Sequence, residues 1–274
     1  MPFIETRDGS SLFYRDWGHG RPVLFCSSWG LNSGQFQGQM AHLVANGSRV
    51  VAYDRRGHGR SDDPGEGYDY DTLADDLADV IAHLDLGELT LIGHSMGCGE
   101  IVRYLARQGG ARVRKVVLLG AALPFLMATP DNADGVAKED AERMRSAWRQ
   151  DFSGWLRDNE GPYFGEGLPG CEVSDAVRFW TLNAMVDASL HALVETNRAV
   201  VETDFRAELG GIEVPTLIIH GDHDASNPLE FTAERVAKLL PHSELRVYEN
   251  APHGLYLTHP ERLNRDLLEA VTAG

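Results

Sequence analysis

Apolar residues along the chain gather into short unbroken runs: Val23–Cys26, Val50–Tyr53, Leu89–Ile92, Val113–Leu119, Pro215–His220 and Leu245–Tyr248. Continuous rather than alternating apolarity is the pattern of a parallel strand covered on both faces. Between the second and third runs, Leu73, Leu77, Val80, Ile81 and Leu84 recur at helical spacing with acids between them, which predicts an amphipathic crossover helix. Strands alternating with helices predict an α/β fold with a doubly wound, mostly parallel sheet. Ile4–Asp16 is expected to add an antiparallel edge hairpin through an Asp8-Gly9 turn. The rhythm stops after Ala121. From Leu123 to Gly211 only helical stretches are evident (Glu139–Asn159, Ser174–Met185, Leu190–Thr203), separated by Gly/Pro breaks and rich in aromatics at Phe125, Phe152, Trp155, Phe164 and Trp180. An insertion behind the C-terminal edge of a strand covers the ligand-binding face of such a sheet. The expected organisation is therefore a core of residues 1–122 and 212–274 carrying a helical cap at 123–211.

Composition narrows the function classes. The 274 residues are 43% hydrophobic with a mean hydropathy of −0.27, values of an ordinary globule. No stretch reaches the ~18 uninterrupted apolar residues a membrane span needs. The opening MPFIETRDGS has neither the basic nor the apolar segment of a secretory signal, so cytoplasmic residence is the default expectation. Cys26, Cys98 and Cys171 are odd in number and widely spaced, which predicts buried free thiols rather than a metal site or a disulfide framework. A net charge of −16 sets up a field that repels phosphate and so argues against nucleic-acid or anionic-membrane partners. A small-molecule substrate is the expected partner; self-association is left open.

The sharpest chemical signal is Leu89-Thr90-Leu91-Ile92-Gly93-His94-Ser95-Met96-Gly97, an apolar strand running into a G-x-S-x-G turn, with Ile101, Val102 and Leu105 marking a helix behind it. Such a turn holds the serine on a sharp, strained strand-to-helix elbow where side chains at Gly93 or Gly97 would clash. The helix N-terminus offers the Met96 N–H and a positive dipole end, both suited to a developing oxyanion. A serine nucleophile needs a base, and the base needs an orienting acid. In this arrangement the chain order is Ser, acid, His. The run Val113–Leu119 ends Gly120-Ala121-Ala122, without a carboxylate; Pro215–His220 ends Gly221-Asp222-His223-Asp224 and delivers two. Asp224 is the expected acid, with Asp222 as the alternative. His253, on a Pro/Gly-bracketed loop after the last run, completes the order. His94 and His58 are read as structural.

Together these residues resemble the α/β-hydrolase superfamily, and within it the cofactor-free haloperoxidases, perhydrolases and related arylesterases. The resemblance spans nearly the whole chain. Besides Ser95, Asp224 and His253 it includes Gly97-Cys98-Gly99-Glu100 with Arg103-Tyr104, Tyr53-Asp54-Arg55-Arg56-Gly57-His58-Gly59-Arg60-Ser61, Thr203-Asp204-Phe205-Arg206 and Ala251-Pro252-His253-Gly254-Leu255. It implies that the backbone N–H of Trp29 is the second oxyanion donor beside that of Met96, and that no metal or organic cofactor is needed. One departure stands out. Where these relatives usually carry His-Gly-Trp-Pro after the first buried strand, this chain has Ser27-Ser28-Trp29-Gly30. If the usual glycine position requires positive φ, Ser28 is strained by about 1 kcal/mol. The missing proline, which in the relatives goes with efficient use of peroxide, lowers the expectation of perhydrolysis.

The expected activity is hydrolysis of carboxylic esters of small, largely apolar substrates through a serine acyl-enzyme. Trp155, Trp180 and Leu255 are candidate substrate contacts. Ser in place of Asp at the elbow argues against haloalkane dehalogenase and epoxide hydrolase chemistry. The same triad serves lactonases, amidases and perhydrolases, and a slow-turnover ligand receptor on this fold is the alternative from another class.

Overall fold

Each apolar run forms a strand, and the helical stretches form helices. In chain order the elements are β1 (Phe3–Glu5), β2 (Ser11–Gly18), β3 (Arg21–Cys26), α1 (Gln37–Ala45), β4 (Ser48–Tyr53), α2 (Tyr70–His83), β5 (Leu89–His94), α3 (Met96–Gln108) and β6 (Val113–Leu119). The helices α4 (Lys138–Phe164), α5 (Asp175–Val186), α6 (Leu190–Glu202) and α7 (Arg206–Leu209) follow. Next come β7 (Thr216–Gly221), α8 (Ala233–Leu239), β8 (Glu244–Tyr248), α9 (Leu255–Thr258) and α10 (Pro260–Thr272). This is a computed structural model, and it describes residues 2–273. Its eight strands lie in the order β1-β2-β4-β3-β5-β6-β7-β8, with β1 and β2 antiparallel and the rest parallel. The edge hairpin turns at Gly9, whose φ of 90° a residue with a side chain rarely adopts.

Successive strand residues face opposite sides, so each run feeds two apolar layers. Leu24, Leu91, Leu118 and Ile218 pack with Leu73 and Leu77 of α2, Ile101 of α3 and Val236 of α8. Phe25, Ile92, Val117 and Ile219 pack with Met40 of α1 and Leu263 and Leu267 of α10. Asp69 caps α2 by accepting hydrogen bonds from the N–H groups of Asp71 and Thr72 at 2.9 and 3.0 Å. The core is thus closed on both faces, leaving the C-terminal strand ends for loops.

The insertion lies between β6 and β7 and is helical, apart from isolated bridges at Met127–Val136 and Thr129–Asn132. α4 is kinked at Asp151, where φ is −157° and ψ is 86°. The Asp151 carboxylate accepts a hydrogen bond from Gly154 N at 2.8 Å and so starts the second half of the helix as an N-cap. Among the described residues no helix is long and apolar enough to cross a membrane.

The loop after β3 departs from expectation. Positive φ among the described non-glycine residues falls on Asp85, Glu88, Ser95 and Asn250, so Ser28 is not held in the left-handed region. The left-handed residue of that loop is Gly30, at φ 73°. A proline is fixed near −65° and could not adopt the Gly30 conformation. The Ser27-Ser28-Trp29-Gly30 loop thus takes its turn at position 30 and leaves Ser28 unstrained. Ser28→Gly should accordingly lower stability, by about 0.4–1 kcal/mol through unfolded-state entropy. A rise in melting temperature would restore the strained reading.

His58, in the turn after β4, is buried; its Nδ1–H donates to the Arg56 carbonyl at 3.0 Å, and its Nε2 is buried without a partner among the described residues. Burial, with Arg55 nearby, pushes its pKa down to about 3. The folded state therefore keeps His58 neutral while the unfolded chain takes up a proton below about pH 6.5, so this group costs stability as pH falls. Between pH 7.5 and 5.0 the cost reaches about 2 kcal/mol. Urea denaturation at both pH values should show His58→Leu losing that much less than wild type over the interval; equal losses would contradict it.

Candidate active site

Ser95 is the N-cap of α3, with φ 54° and ψ −114°. A non-glycine residue is held there only when its surroundings over-determine it. They do: Ser95 N–H donates to Leu119 O of the neighbouring strand at 2.9 Å, and its carbonyl accepts from Cys98 N at 3.1 Å. A Cβ on Gly93 would lie 2.8 Å from Cys98 N, and one on Gly97 would lie 2.7 Å from the carbonyl carbon of Cys26. Both glycines are therefore required by backbone approaching backbone. Met96 is the first residue of α3, so its N–H has no intrahelical acceptor.

Asp224 and His253 lie in the loops that follow β7 and β8. Asp224 Oδ2 lies 2.7 Å from His253 Nδ1, with both side chains buried. Asp224 Oδ1 accepts from the N–H groups of Ser226 and Asn227 at 3.0 and 2.8 Å, which fixes the carboxylate plane. Asp222 is exposed and pairs with its neighbour His223 at 2.7 Å. A hydrogen bond from Nδ1–H to the carboxylate leaves the His253 Nε2 lone pair for proton abstraction. The loop bearing Asp224 also reaches Ser95: Asn227 Nδ2 donates to Ser95 Oγ at 3.4 Å and to Gly120 O at 2.9 Å.

His94, the variable residue of the elbow, joins two loops. The His253 carbonyl can only accept, so His94 Nε2, 3.1 Å away, carries the hydrogen. Its Nδ1 then accepts from Gln35 Nε2 at 2.6 Å, and Gln35 Oε1 accepts from Ser28 N–H at 2.8 Å. Burial, reinforced by His253, holds the His94 pKa well below the usual histidine value. The two imidazoles lie 4.7 Å apart, and Tyr163 packs edge-on against His253 at 5.6 Å.

Arg55 sits under the loop after β3. It pairs with Glu100, with both side chains buried, and donates to the carbonyls of Ser27 and Ser28 at 2.7 and 3.3 Å. Tyr53 Oη donates to the same Glu100 at 2.6 Å. Ser27 Oγ closes the loop onto Leu31 O at 3.1 Å. Trp29 is anchored by its indole N–H, which donates to Leu193 O of α6 at 2.9 Å.

The insertion meets this loop through packed aromatics. Trp148 packs on Trp29 at a tilt with ring centroids 4.7 Å apart, Phe152 meets Trp29 edge-on at 5.9 Å, and Trp155 meets Trp148 edge-on at 5.2 Å. Trp155 thus belongs to a cluster built on Trp29. Leu255, the first residue of α9, is fully buried in the layer with Trp148 and Tyr256. Trp180 lies elsewhere: it is 43% exposed and lines an outer groove of about 560 Å³ with Arg15, Asn32 and Arg60, none of the triad residues being in its lining.

Asn227, Gln35 and Trp148 did not emerge from sequence reasoning as site residues, and Arg55 and Glu100 emerged only as letters of longer motifs. For Trp148 a signal exists, because positions 148, 152 and 155 share one helix face. Glu100, an acid facing the buried side of α3, is a comparable signal. Among the described residues, no three His, Cys, Asp or Glu side chains converge as a metal site would need.

Comparison with known proteins agrees with this fold. Residues 21–260 match the alpha/beta hydrolase fold family. The chain is 41% identical over 273 residues to a non-heme haloperoxidase of Rhodococcus erythropolis, covering 99% of both chains. It is 38% identical to a bifunctional esterase/perhydrolase of Acinetobacter calcoaceticus, covering 98% of each. Among solved structures, an esterase from Exiguobacterium antarcticum superposes with a TM-score of 0.94 at 34% identity, covering 99% of both chains. The chain belongs to the α/β-hydrolase superfamily of enzymes, in the group that includes the non-heme haloperoxidases and esterase/perhydrolases.

Proposed function

We propose that the protein is a serine hydrolase of carboxylic esters, with Ser95 as nucleophile, His253 as base and Asp224 as orienting acid. The observation that carries the reading is the buried 2.7 Å Asp224–His253 pair, whose acid loop touches the oxygen of a serine held at φ 54°. Ser95 Oγ attacks the ester carbonyl as its proton passes to His253 Nε2. The oxyanion is held by the N–H groups of Met96 and Trp29, whose fixed orientation costs no reorganisation as charge develops. The imidazolium returns the proton to the departing alcohol. Water then attacks the acyl-enzyme by the same steps, releasing the carboxylic acid. The aromatic cluster of Trp148, Phe152 and Trp155 favours small apolar acyl or alcohol groups.

Perhydrolysis is the second reading, favoured by the 38% identical relative whose name couples it to esterase activity. Hydrogen peroxide would then replace water on the same acyl-enzyme and release a peracid. Gly30 at φ 73°, where proline cannot stand, weighs toward hydrolysis.

Turnover of p-nitrophenyl acetate tests the proposal. Ser95→Ala should lower kcat by about 10⁴–10⁶-fold with the fold intact, and Asp224→Asn by about 10³–10⁴-fold, while Asp222→Asn costs less than about tenfold. Retention of a tenth of the activity in Ser95→Ala would refute the nucleophile, and the reverse ranking of the two aspartates would move the acid.

A further inference from the structure

The ester-hydrolase mechanism uses the Ser95 hydroxyl, the Asp224–His253 pair and two backbone donors, and leaves unexplained a buried carboxamide aimed at the nucleophile. Asn227 is 4% exposed and held on every side. Its backbone N–H donates to Asp224 Oδ1 at 2.8 Å. Its carbonyl accepts from His220 Nε2 at 2.7 Å and from Thr232 Oγ1 at 3.1 Å. The side-chain orientation is fixed by chemistry, because the Gly120 carbonyl at 2.9 Å can only accept and must face the NH₂. One of the two amide hydrogens goes to that carbonyl, and the other is directed at Ser95 Oγ, 3.4 Å from Nδ2. Contacts of this kind are often long before substrate is bound and shorten along the reaction.

We infer that Asn227 is a further catalytic residue, an N–H donor to Ser95 Oγ that assists its departure from the acyl-enzyme. The argument rests on the acyl-enzyme reading above. The strength of a hydrogen bond to Oγ follows the charge on that oxygen. It is weakest to the ester oxygen of the acyl-enzyme, intermediate to the free hydroxyl, and strongest to an oxygen that carries negative charge.

In deacylation, water attacks the acyl carbonyl and its proton moves to His253 Nε2. The tetrahedral intermediate collapses, the C–Oγ bond breaks with its electron pair going to Oγ, and His253 returns the proton to Oγ. The Asn227 hydrogen bond goes from its weakest state to near its strongest as that bond breaks, so it lowers this barrier. In acylation the starting hydroxyl already accepts the bond, and the gain on reaching the transition state is smaller. Only interactions that strengthen between ground and transition state accelerate a step. The donor therefore acts mainly on deacylation. A side chain serving only to brace the loop would affect both steps alike.

Stopped-flow hydrolysis of p-nitrophenyl acetate, with intact-protein mass spectrometry of the quenched reaction, separates the two steps. Asn227→Leu keeps the branched shape and removes the donor; Asn227→Ala removes both. In each variant the acetyl-enzyme should accumulate at Ser95, with the deacylation rate falling about tenfold or more. The acylation rate, and with it kcat/KM, should change by less than about threefold. Rates of decay of the adduct do not depend on how much of the sample is folded. An unchanged deacylation rate, or acylation and deacylation falling together, would overturn the assignment, as would loss of the fold in both variants, which would leave Asn227 a scaffold residue. Absence of any acetyl adduct on the wild-type protein, even at quench times short of steady state, would instead bring down the acyl-enzyme reading itself.

Discussion

The backbone of Ser95 is the constraint on which the site depends. A φ of 54° at a serine is unfavourable in isolation and must be imposed by its neighbours. Here two chain segments close on it. The Leu119 carbonyl takes its N–H, and α3 is pressed so near β3 and β5 that positions 93 and 97 have no room for a Cβ. The close approach also orients the first turn of α3, and with it the unpaired Met96 N–H. The strain at Ser95 and the placement of the Met96 N–H are thus consequences of one local packing arrangement. The apolar layers on both sheet faces hold it, because shifting α3 away from the sheet would open contacts among Ile101, Val102, Leu91 and Leu118.

Around this point the loops are tied to one another rather than to the sheet alone. The chain Ser28–Gln35–His94–His253 carries three hydrogen bonds of 2.6 to 3.1 Å from the loop after β3 to the loop bearing His253. Removing one partner would leave buried polar groups unsatisfied, at a cost of about 1–3 kcal/mol each. A second tie runs from Glu100 through Arg55 to the carbonyls of Ser27 and Ser28. A buried ion pair is weak evidence for net stability. Its use here is directional: with those two carbonyls held downward, the following Trp29 N–H belongs to a peptide of fixed orientation. Neutral His94 suits its place too, since its ring lies 4.7 Å from that of His253, where two imidazoliums would repel each other.

Much of this was legible in the sequence, for definite reasons. The parallel sheet was written as unbroken apolar runs, the crossover helix as a 3.6-residue period, and the elbow as glycines on either side of a serine. Asp224 and His253 could be singled out because strand ends in this topology deliver side chains to one face. What stayed hidden depends on which atoms meet across long separations. Nothing local to Asn227 says that it faces Ser95, and nothing in Ser28 says that the loop turns at Gly30 instead. Strain at Ser28 is the expectation where relatives carry glycine, and the backbone instead places the left-handed residue two positions along, at Gly30. Trp180 shares the aromatic composition of the insertion, yet its place in α5 turns it toward an outer groove. Helical composition alone does not say which face of a short cap helix meets the core.

The central claim is that one serine, activated by one histidine, attacks electrophilic acyl or phosphoryl centres at this site. A p-nitrophenyl alkylphosphonate, whose phosphorus mimics the tetrahedral intermediate, tests it most directly. The account predicts one covalent adduct, located by peptide mass spectrometry on Ser95, formed in a reaction that His253→Ala slows by several orders of magnitude. A folded protein that gave no adduct, or one bearing the phosphonate on another residue, would contradict it.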